Sequence, residues 1–305
     1  MKKVLFTSFI VLLLVGCAED LFNGVSNNGN NENDENYNSI SNFGSDTTFE
    51  VITWNVENFA KQDNVTVDSL VSFINLLNPD VICLQEIKSA DYFQELVNRL
   101  ENYSGHRENS AAYNLDLAVL YLNDLDIISI DEIYTDDWWS FPRSPQVIQL
   151  LWHGHEIILI NNHYKANEND TNDDENRRIS ASQILDEYVV SNFPFKNVII
   201  LGDLNDDLTE PVNDNVFSTF ISKTEEYLFV DMNIAAGIAS NWSFPTWPSH
   251  LDHILITNEL FEIFERSESI VQTFRIEDYM NGGWSKYELY ISDHRPVGLK
   301  LVFDP

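Results

Sequence analysis

Six short stretches of this chain put chemically capable side chains at the margin of an apolar run. Asn55 and Glu57 follow "VITW", Glu86 follows "VICLQ", Asn162 and His163 follow "IILIN", and Asp203 and Asn205 follow "VIIL" after a single glycine. Asp252 and the adjacent pair Asp293–His294 stand instead just ahead of apolar runs. Together they supply carboxylates, amides and two imidazoles, and no thiol. Oxygen donors such as Glu86, Asp293 and the amide oxygen of Asn55 suit a hard divalent cation, Mg2+, Mn2+ or Ca2+. A zinc site would want more His or Cys. Crowded carboxylates repel one another unless a cation neutralises them. That cation can then polarise a phosphoryl oxygen and activate water. An imidazole with an ordinary pKa of about 6.5 suits proton transfer near neutral pH. Each motif also has a plainer reading, as a turn, a loop cap, a core histidine or a structural Asp–His pair, so the chemistry rests on the set and not on any one member.

Such a set works only if strand ends meet. "FEVITWNV", "DVICLQEI", "LDLAVLYL", "DIISIDEIY", "PQVIQLLW", "EIILINNHY", "NVIILGDLN", "LDHILIT", "IVQTFRI" and "PVGLKLVF" read as strands. "VTVDSLVSFINLLN", "SADYFQELVNRLENY" and "ENRRISASQILDEYVVSNF" carry helical spacing, the second with Ser89 as N-cap. His153-Gly154-His155 marks a hairpin turn. Helices alternate with strands at both ends and strands cluster between, which predicts an α/β fold of two packed sheets flanked by helices. Buried strands that end in polar groups at one sheet edge build ligand sites. Asn55 and Glu57, like Asp203 and Asn205, are two apart and share a face wherever the strand runs through them. His253, next to Asp252, points to the opposite face. There is no internal sequence repeat.

The chain has 305 residues, 44% hydrophobic, enough for one large core. Its net charge is −32, with 17 basic residues against 49 acidic. That balance argues against a passive nucleic-acid binder and against adsorption to anionic lipid. A polyanionic substrate would need bound divalent cations. Lys88, Arg143 and Lys165 fall close to the motifs and suggest a local positive rim, whereas Arg177 and Arg178, on a helix, read as solvated. Trp138, Trp139, Trp242 and Trp247 lie in polar loops, where most should pack and one or two could stack on bases; Tyr113 has a similar claim.

The N-terminus starts with Lys2 and Lys3, continues with a short apolar run and ends in Leu14-Val15-Gly16-Cys17. This resembles a bacterial lipoprotein signal over residues 1–16, with Cys17 acylated. An Asn-rich tether then spans residues 17–46 and one domain spans 47–305. The protein is then exported and lipid-anchored to the cell envelope, touching membrane only through that anchor. Cys83, the one other cysteine, sits in an apolar run and reads as a small buried hydrophobe.

"TWNVEN", "LQEI", "NNHYKA", "GDLND", "LDHILI" and "SDHRPV" resemble, in this order, the successive motifs of the endonuclease/exonuclease/phosphatase superfamily, the group of deoxyribonuclease I. The resemblance covers nearly the whole domain. It implies a four-layered α/β sandwich of two mixed sheets flanked by helices, and metal-dependent hydrolysis of a phosphate ester by in-line attack of water. On that reading Glu86 is the principal metal ligand, helped by Asn55, Glu57 and Asp293. His294 acts on the nucleophile side, with Asp252 fixing its tautomer, and His163 acts on the leaving-group side. Asp203 and Asn205 orient water and phosphate, and either Asp203 or His294 is the general base. "FPRSPQV" resembles the segment that places a phosphate-contacting arginine, here Arg143. The deoxyribonuclease branch pairs its acid-side histidine with a glutamate before a strand; here Leu115 stands near that place and Asp116 one later, making Asp116 the candidate partner of His163. Arg295 reads as a structural ion pair. The resemblance favours a non-specific surface or periplasmic nuclease, with nucleic acid as substrate and no obligate protein partner, acting as a monomer. The alternatives are a phosphatase or phosphodiesterase for a phospholipid, sugar phosphate or other small ester, and a non-catalytic binding protein on the same fold.

Overall fold

The computed structural model describes residues 43–111, 114–167 and 171–303. The signal segment, Cys17, the tether as far as residue 42, and Tyr113 lie outside the described residues. Packing begins ahead of the expected start at residue 47: Phe43 is buried and meets Phe274 edge-on, with ring centroids 4.8 Å apart.

One six-stranded sheet contains β1 (Phe49–Phe59), β2 (Val81–Ile87), β3 (Tyr103–Arg107), β4 (Asp116–Leu122), β11 (Ile270–Thr273) and β12 (Val297–Leu301), in the order β11-β12-β1-β2-β4-β3. The other contains β5 (Asp126–Glu132), β6 (Gln146–Trp152), β7 (His155–His163), β8 (Asn197–Asp203), β9 (Tyr227–Phe229) and β10 (Asp252–Thr257), in the order β5-β6-β7-β8-β10-β9. Both sheets are mixed: β1–β2 and β7–β8 are parallel and the other pairs antiparallel.

The central strands are apolar on both faces because both faces are covered. Val51, Cys83, Val119, Ile148, Leu159, Ile199, Ile254 and Leu299 fill the space between the sheets. The outer face of the first sheet, including Ile52, Trp54, Leu84 and Leu120, packs on the helices Asn64–Leu77, Ala90–Arg99 and Gly283–Tyr290. The outer face of the second, including Ile158, Ile160, Val198 and Ile200, packs on the helix Thr171–Asn192. The layers therefore run α/β/β/α. Ser89 caps the second helix by accepting from the Tyr92 amide. His153 (φ 46°) and Gly154 (φ 88°) form the two-residue turn between β6 and β7, a left-handed pair that matches strand twist. Cys83 is fully buried between the sheets, and burial pushes its thiol pKa up. No helix among the described residues is long and apolar enough to cross a membrane.

The topology repeats although the sequence does not. β1, a crossover helix, β2, β3 and β4 assemble in the order β1-β2-β4-β3, and β7, a crossover helix, β8, β9 and β10 assemble as β7-β8-β10-β9. Each half ends its two parallel strands at the same edge of the sandwich.

Candidate active site

The carboxyl ends of β1, β2, β7 and β8 converge with the starts of β10 and β12. In the second sheet His163 pairs with Asp203, and Asp203 pairs across with Asp252, so three candidates form one row. In the first, Asn55 is level with Gln85, one residue before Glu86.

Asn55 ties the two sheets together. Its Nδ2 donates to Glu86 Oε1 (3.3 Å) and Asp203 Oδ2 (2.9 Å), while its Oδ1 accepts from the Glu57 amide (3.0 Å). Asn55 thus turns its donor side to the carboxylates, where its amide oxygen was expected to face a cation. Below it, Gln85 Nε2 donates to Asn161 Oδ1 (2.8 Å), and Asn161 Nδ2 donates to the Ala118 carbonyl (3.1 Å) and Gln146 Oε1 (3.3 Å). These three buried amides cross the apolar layer directly beneath the site.

Neither two-apart pair shares a strand face. Glu57 (φ 30°) and Asn58 (φ 51°) leave the pleat, and the β1–β2 register shifts between Asn55 and Phe59. Asn205 (φ 56°) lies beyond β8 in a turn, its amide donating to Asp203 Oδ1 (3.1 Å) and its Nδ2 to the Tyr164 carbonyl (3.2 Å). Glu86 is also left-handed, at φ 64°. Non-glycine residues held at positive φ cost stability and cluster at functional sites. Gly202 has to be glycine: at φ 147° a Cβ would lie 2.0 Å from the Asn162 carbonyl oxygen.

The segment before β12 is fixed by β1 and a neighbouring helix. Ser292 Oγ donates to the Asn55 carbonyl (2.7 Å) and accepts from the His294 amide (2.9 Å). The His294 carbonyl accepts from Tyr287 Oη (2.6 Å) and Trp54 Nε1 (3.3 Å). His294 Nδ1 faces Asp252 Oδ2 at 2.7 Å, which leaves Nε2 pointing to Asp203 (3.8 Å) and Asp293 (3.9 Å). Burial disfavours its charge, but Asp252, Asp203 and Asp293 outweigh that and raise its pKa to about 10. Burial raises Asp203 to about 7, with His294 opposing and Asp252 and Glu86 reinforcing. His163 lies 3.6 Å from Asp203 and 4.0 Å from Glu86, and burial, Arg143 and His294 push its pKa well down, so it is neutral.

Asp116 does not serve His163. It pairs with Arg107 and accepts from the Ala111 amide (2.9 Å), and the buried His163 Nδ1 has no hydrogen-bond partner among the described residues. Arg143 donates to the Tyr164 carbonyl (3.5 Å) beside this group. Arg178 is not solvated: it is 1% exposed and bonds Asp206 Oδ2 (2.8 Å), the Lys165 carbonyl (2.8 Å) and Asn167 Oδ1 (2.9 Å), fastening the loops after β7 and β8. Lys165 is itself buried against Asp174 (3.2 Å), so of the expected basic rim Lys88 alone is exposed. Arg295 is structural, pairing with Glu277 and donating to the Ser240 and Trp242 carbonyls (2.8 and 2.9 Å).

The residues fit a hard cation. Glu57 and Asp293 are raised by burial, each held in a pocket with further negative charge: Asp293 raises Glu57, and Glu86 raises Asp293. Lys61 offsets part of this at Glu57. Glu86, Asp293 and the remaining oxygen of Glu57 are the donors available, and a divalent ion is what this acid-rich pocket calls for. Asp203, Asp252 and His294 also bring ligating atoms within 4.8 Å. There Asp252 already occupies the imidazole Nδ1, which suits proton handling.

A second buried cluster lies behind β10. His253 indeed points away from Asp252; its Nε2 bonds the Asp206 carbonyl (2.9 Å) and its Nδ1 lies 2.6 Å from Asp231 Oδ2. The Ser243 amide donates to His250 Nδ1 (3.2 Å), and His250 Nε2 lies 3.1 Å from the same carboxylate. Burial opposes charge on both partners, yet their attraction lowers the Asp231 pKa and raises that of His253. Attraction between His253 and Asp231 makes the cluster an ion pair, and the His253 bond to the Asp206 carbonyl steadies the Asp203–Asp206 loop from behind.

The sequence matches the model of the Endonuclease/Exonuclease/phosphatase family over residues 52–294. Among curated proteins, none matches it. Solved structures share the fold at low identity. TDP2 of D. rerio with a single strand DNA product is 15% identical, covers 84% of this chain and 99% of its own, and gives a TM-score of 0.62. The human Nocturnin catalytic domain with a bound sulfate anion is 17% identical, with coverages of 85% and 95% and a TM-score of 0.61. A mannosyl-6-phosphatase of Bacteroides thetaiotaomicron is 15% identical, with coverages of 84% and 100% and a TM-score of 0.60.

Proposed function

Because this chain belongs to the endonuclease/exonuclease/phosphatase family and is a metal-dependent phosphoesterase, we propose that it hydrolyses phosphodiesters of nucleic acid, DNA or RNA. The observation that carries this reading is the meeting of two unlike halves in one cleft. An acid-rich pocket (Glu57, Glu86, Asp293) lies beside a proton-handling row (His163, Asp203, Asp252, His294). Glu86 and Asp293, with Glu57, would hold Mg2+, Mn2+ or Ca2+. When bound, that ion neutralises a phosphoryl oxygen and lowers the pKa of water.

The chain's own groups divide the remaining work. His294, kept as an imidazolium by three carboxylates, donates from Nε2 to the scissile phosphate. Asp203, with a pKa of about 7, accepts the proton of the attacking water, since a base is most useful when its pKa lies near the working pH. Asn55 holds the Asp203 and Glu86 carboxylates in register. Neutral His163 and Arg143 stabilise charge on the leaving-group side, and Asn205 orients phosphate. The single strand DNA product held by TDP2 supports a nucleic-acid substrate. A smaller phosphate ester is the second reading, favoured by the −32 charge, which a long polyanion must overcome, and by the mannosyl-6-phosphatase neighbour.

Incubating the soluble domain with plasmid, single-stranded DNA, RNA and sugar phosphates decides between them, with each metal and with chelator. Metal-dependent cleavage of nucleic acid is expected; release of phosphate from sugar phosphates alone would transfer the assignment to the second reading. The lipoprotein reading is tested separately, by whether Cys17→Ser releases the full chain from the membrane fraction.

A further inference from the structure

A nuclease with this charge lacks the basic footprint that normally supplies affinity. Neutral contacts have to compensate, and base stacking on an aromatic ring is the strongest of them that tolerates any sequence. The loop ahead of β10 offers such a ring. Phe244 and Ser249 form an isolated bridge, exchanging both amide-to-carbonyl bonds (3.0 and 3.1 Å), and close a tip of Pro245, Thr246, Trp247 and Pro248. Trp247 is 76% exposed, the most open tryptophan among the described residues. Trp242, by contrast, spends its Nε1–H on the Ile234 carbonyl (3.0 Å).

Two anchors tie this tip to the cleft. The Phe244 ring lies against His294, with centroids 4.7 Å apart. Thr246 Oγ1 donates to Glu288 Oε1 (2.8 Å), the Glu288 carbonyl accepts from Lys61 Nζ (2.7 Å), and Lys61 pairs with Glu57 in the acid-rich pocket. Trp247 is three residues from Phe244, at most about 10 Å along the chain, so the tip that carries it stays near the imidazole on which Phe244 packs. Two prolines and the bridge fix the tip before any ligand arrives, which reduces the entropy lost on binding.

We propose that Trp247 is a stacking platform for a nucleobase next to the scissile phosphate, and that it gives the site its preference for single-stranded nucleic acid over phosphate esters without a base. This rests on the nuclease reading above. The test compares a thymidine oligodeoxynucleotide with an oligomer of the same length whose sugars lack bases, each cleaved by wild type, Trp247→Ala, Trp247→Phe and Trp138→Ala. Wild type should favour the base-bearing strand in kcat/KM by about tenfold or more, the scale of one lost stack. Trp247→Ala should lose that ratio mainly through KM, Trp247→Phe should keep most of it, and Trp138→Ala should match wild type. A wild type that cleaves both strands equally well, or a Trp247→Ala variant that keeps the ratio, overturns the stacking role while leaving the nuclease reading in place. Failure of wild type to cleave either strand with any metal overturns the nuclease reading itself.

Discussion

Replacing Arg178 with methionine tests whether the site is held together from behind by one buried guanidinium. Arg178 is 1% exposed and Asp206 8%, so their pairing is shielded from water. The guanidinium also donates to the Lys165 carbonyl and to Asn167, so one side chain joins the helix Thr171–Asn192 to the loop that follows His163 and the loop that carries Asn205. Methionine fills much of the same volume and removes every donor, which strands the Asp206 carboxylate. Breaking a buried pair from one side costs about 3–5 kcal/mol. For a domain of this size about 2–4 °C of Tm is lost per kcal/mol, so the melting temperature should fall by about 6–20 °C. The double variant Arg178→Met/Asp206→Asn removes the stranded charge and should recover about 1 kcal/mol or more of that loss. Urea unfolding followed by tryptophan fluorescence measures both. If the single variant loses less than about 1 kcal/mol, or the double variant is no more stable than the single, Arg178 does not hold the site together.

Glu86→Ala should lower turnover at least about 100-fold and move the midpoint of a Mg2+ or Mn2+ titration upward; a midpoint identical to wild type would remove Glu86 from the metal ligands. Asp252→Asn should reduce kcat by about 10²–10⁴ with little change in KM, because His294 loses the carboxylate 2.7 Å from Nδ1 that fixes its orientation and charge; an undiminished kcat would show that the pair is idle. At the far pole of the sandwich, burial raises Glu50 from its ordinary 4.5 to about 8 and Asp80 to about 6. A carboxyl raised on folding stabilises fully below its unfolded pKa, and that contribution is lost as pH rises through the folded value. Wild type should therefore lose stability between about pH 4.5 and 8 relative to Glu50→Gln, and parallel pH–stability curves for the two would contradict this.

What the sequence made legible follows from how strongly each element is constrained. Strands buried on both faces announce themselves as apolar runs, so the central strands and the groups at their ends could be located by inspection. β3 and β9 leave no such mark, because short edge strands such as Tyr103–Arg107 are half wet and lack a clear alternation. The burial of Arg178 is not written in its helix, whose pattern does not single out one arginine; only the position of Asp206 tells which one turns inward. The amide bridge of Gln85, Asn161 and Gln146 did leave a signal: each is a polar residue at an inward position of a strand otherwise apolar there. Ser292 left none, since a serine before Asp293 is an ordinary turn residue until Asn55 is known to lie across from it. Asp116 stood at a plausible place in the chain, but the charge of Arg107 on the neighbouring strand claimed it.

The repeated topology explains how so acidic a chain can keep carboxylates and a charged imidazole within one cleft. The β1–β2 half, with the segment before β12, brings the acid-rich pocket: Glu57, Glu86 and Asp293. The β7–β8 half, with β10, brings the row His163–Asp203–Asp252. His294 belongs to the first half by sequence neighbourhood and to the second by its bond to Asp252, so it joins the two charge systems. Asn55 makes a second connection of the same kind, reaching from the first half to Asp203. Because both connectors run from the first sheet to the second, sliding one sheet against the other would stretch both at once. The buried amides beneath them resist the same motion. A site built this way needs no sequence symmetry between the halves, only that both sets of parallel strands end at one edge, and the divergent side chains at those ends can then take separate parts of a single reaction.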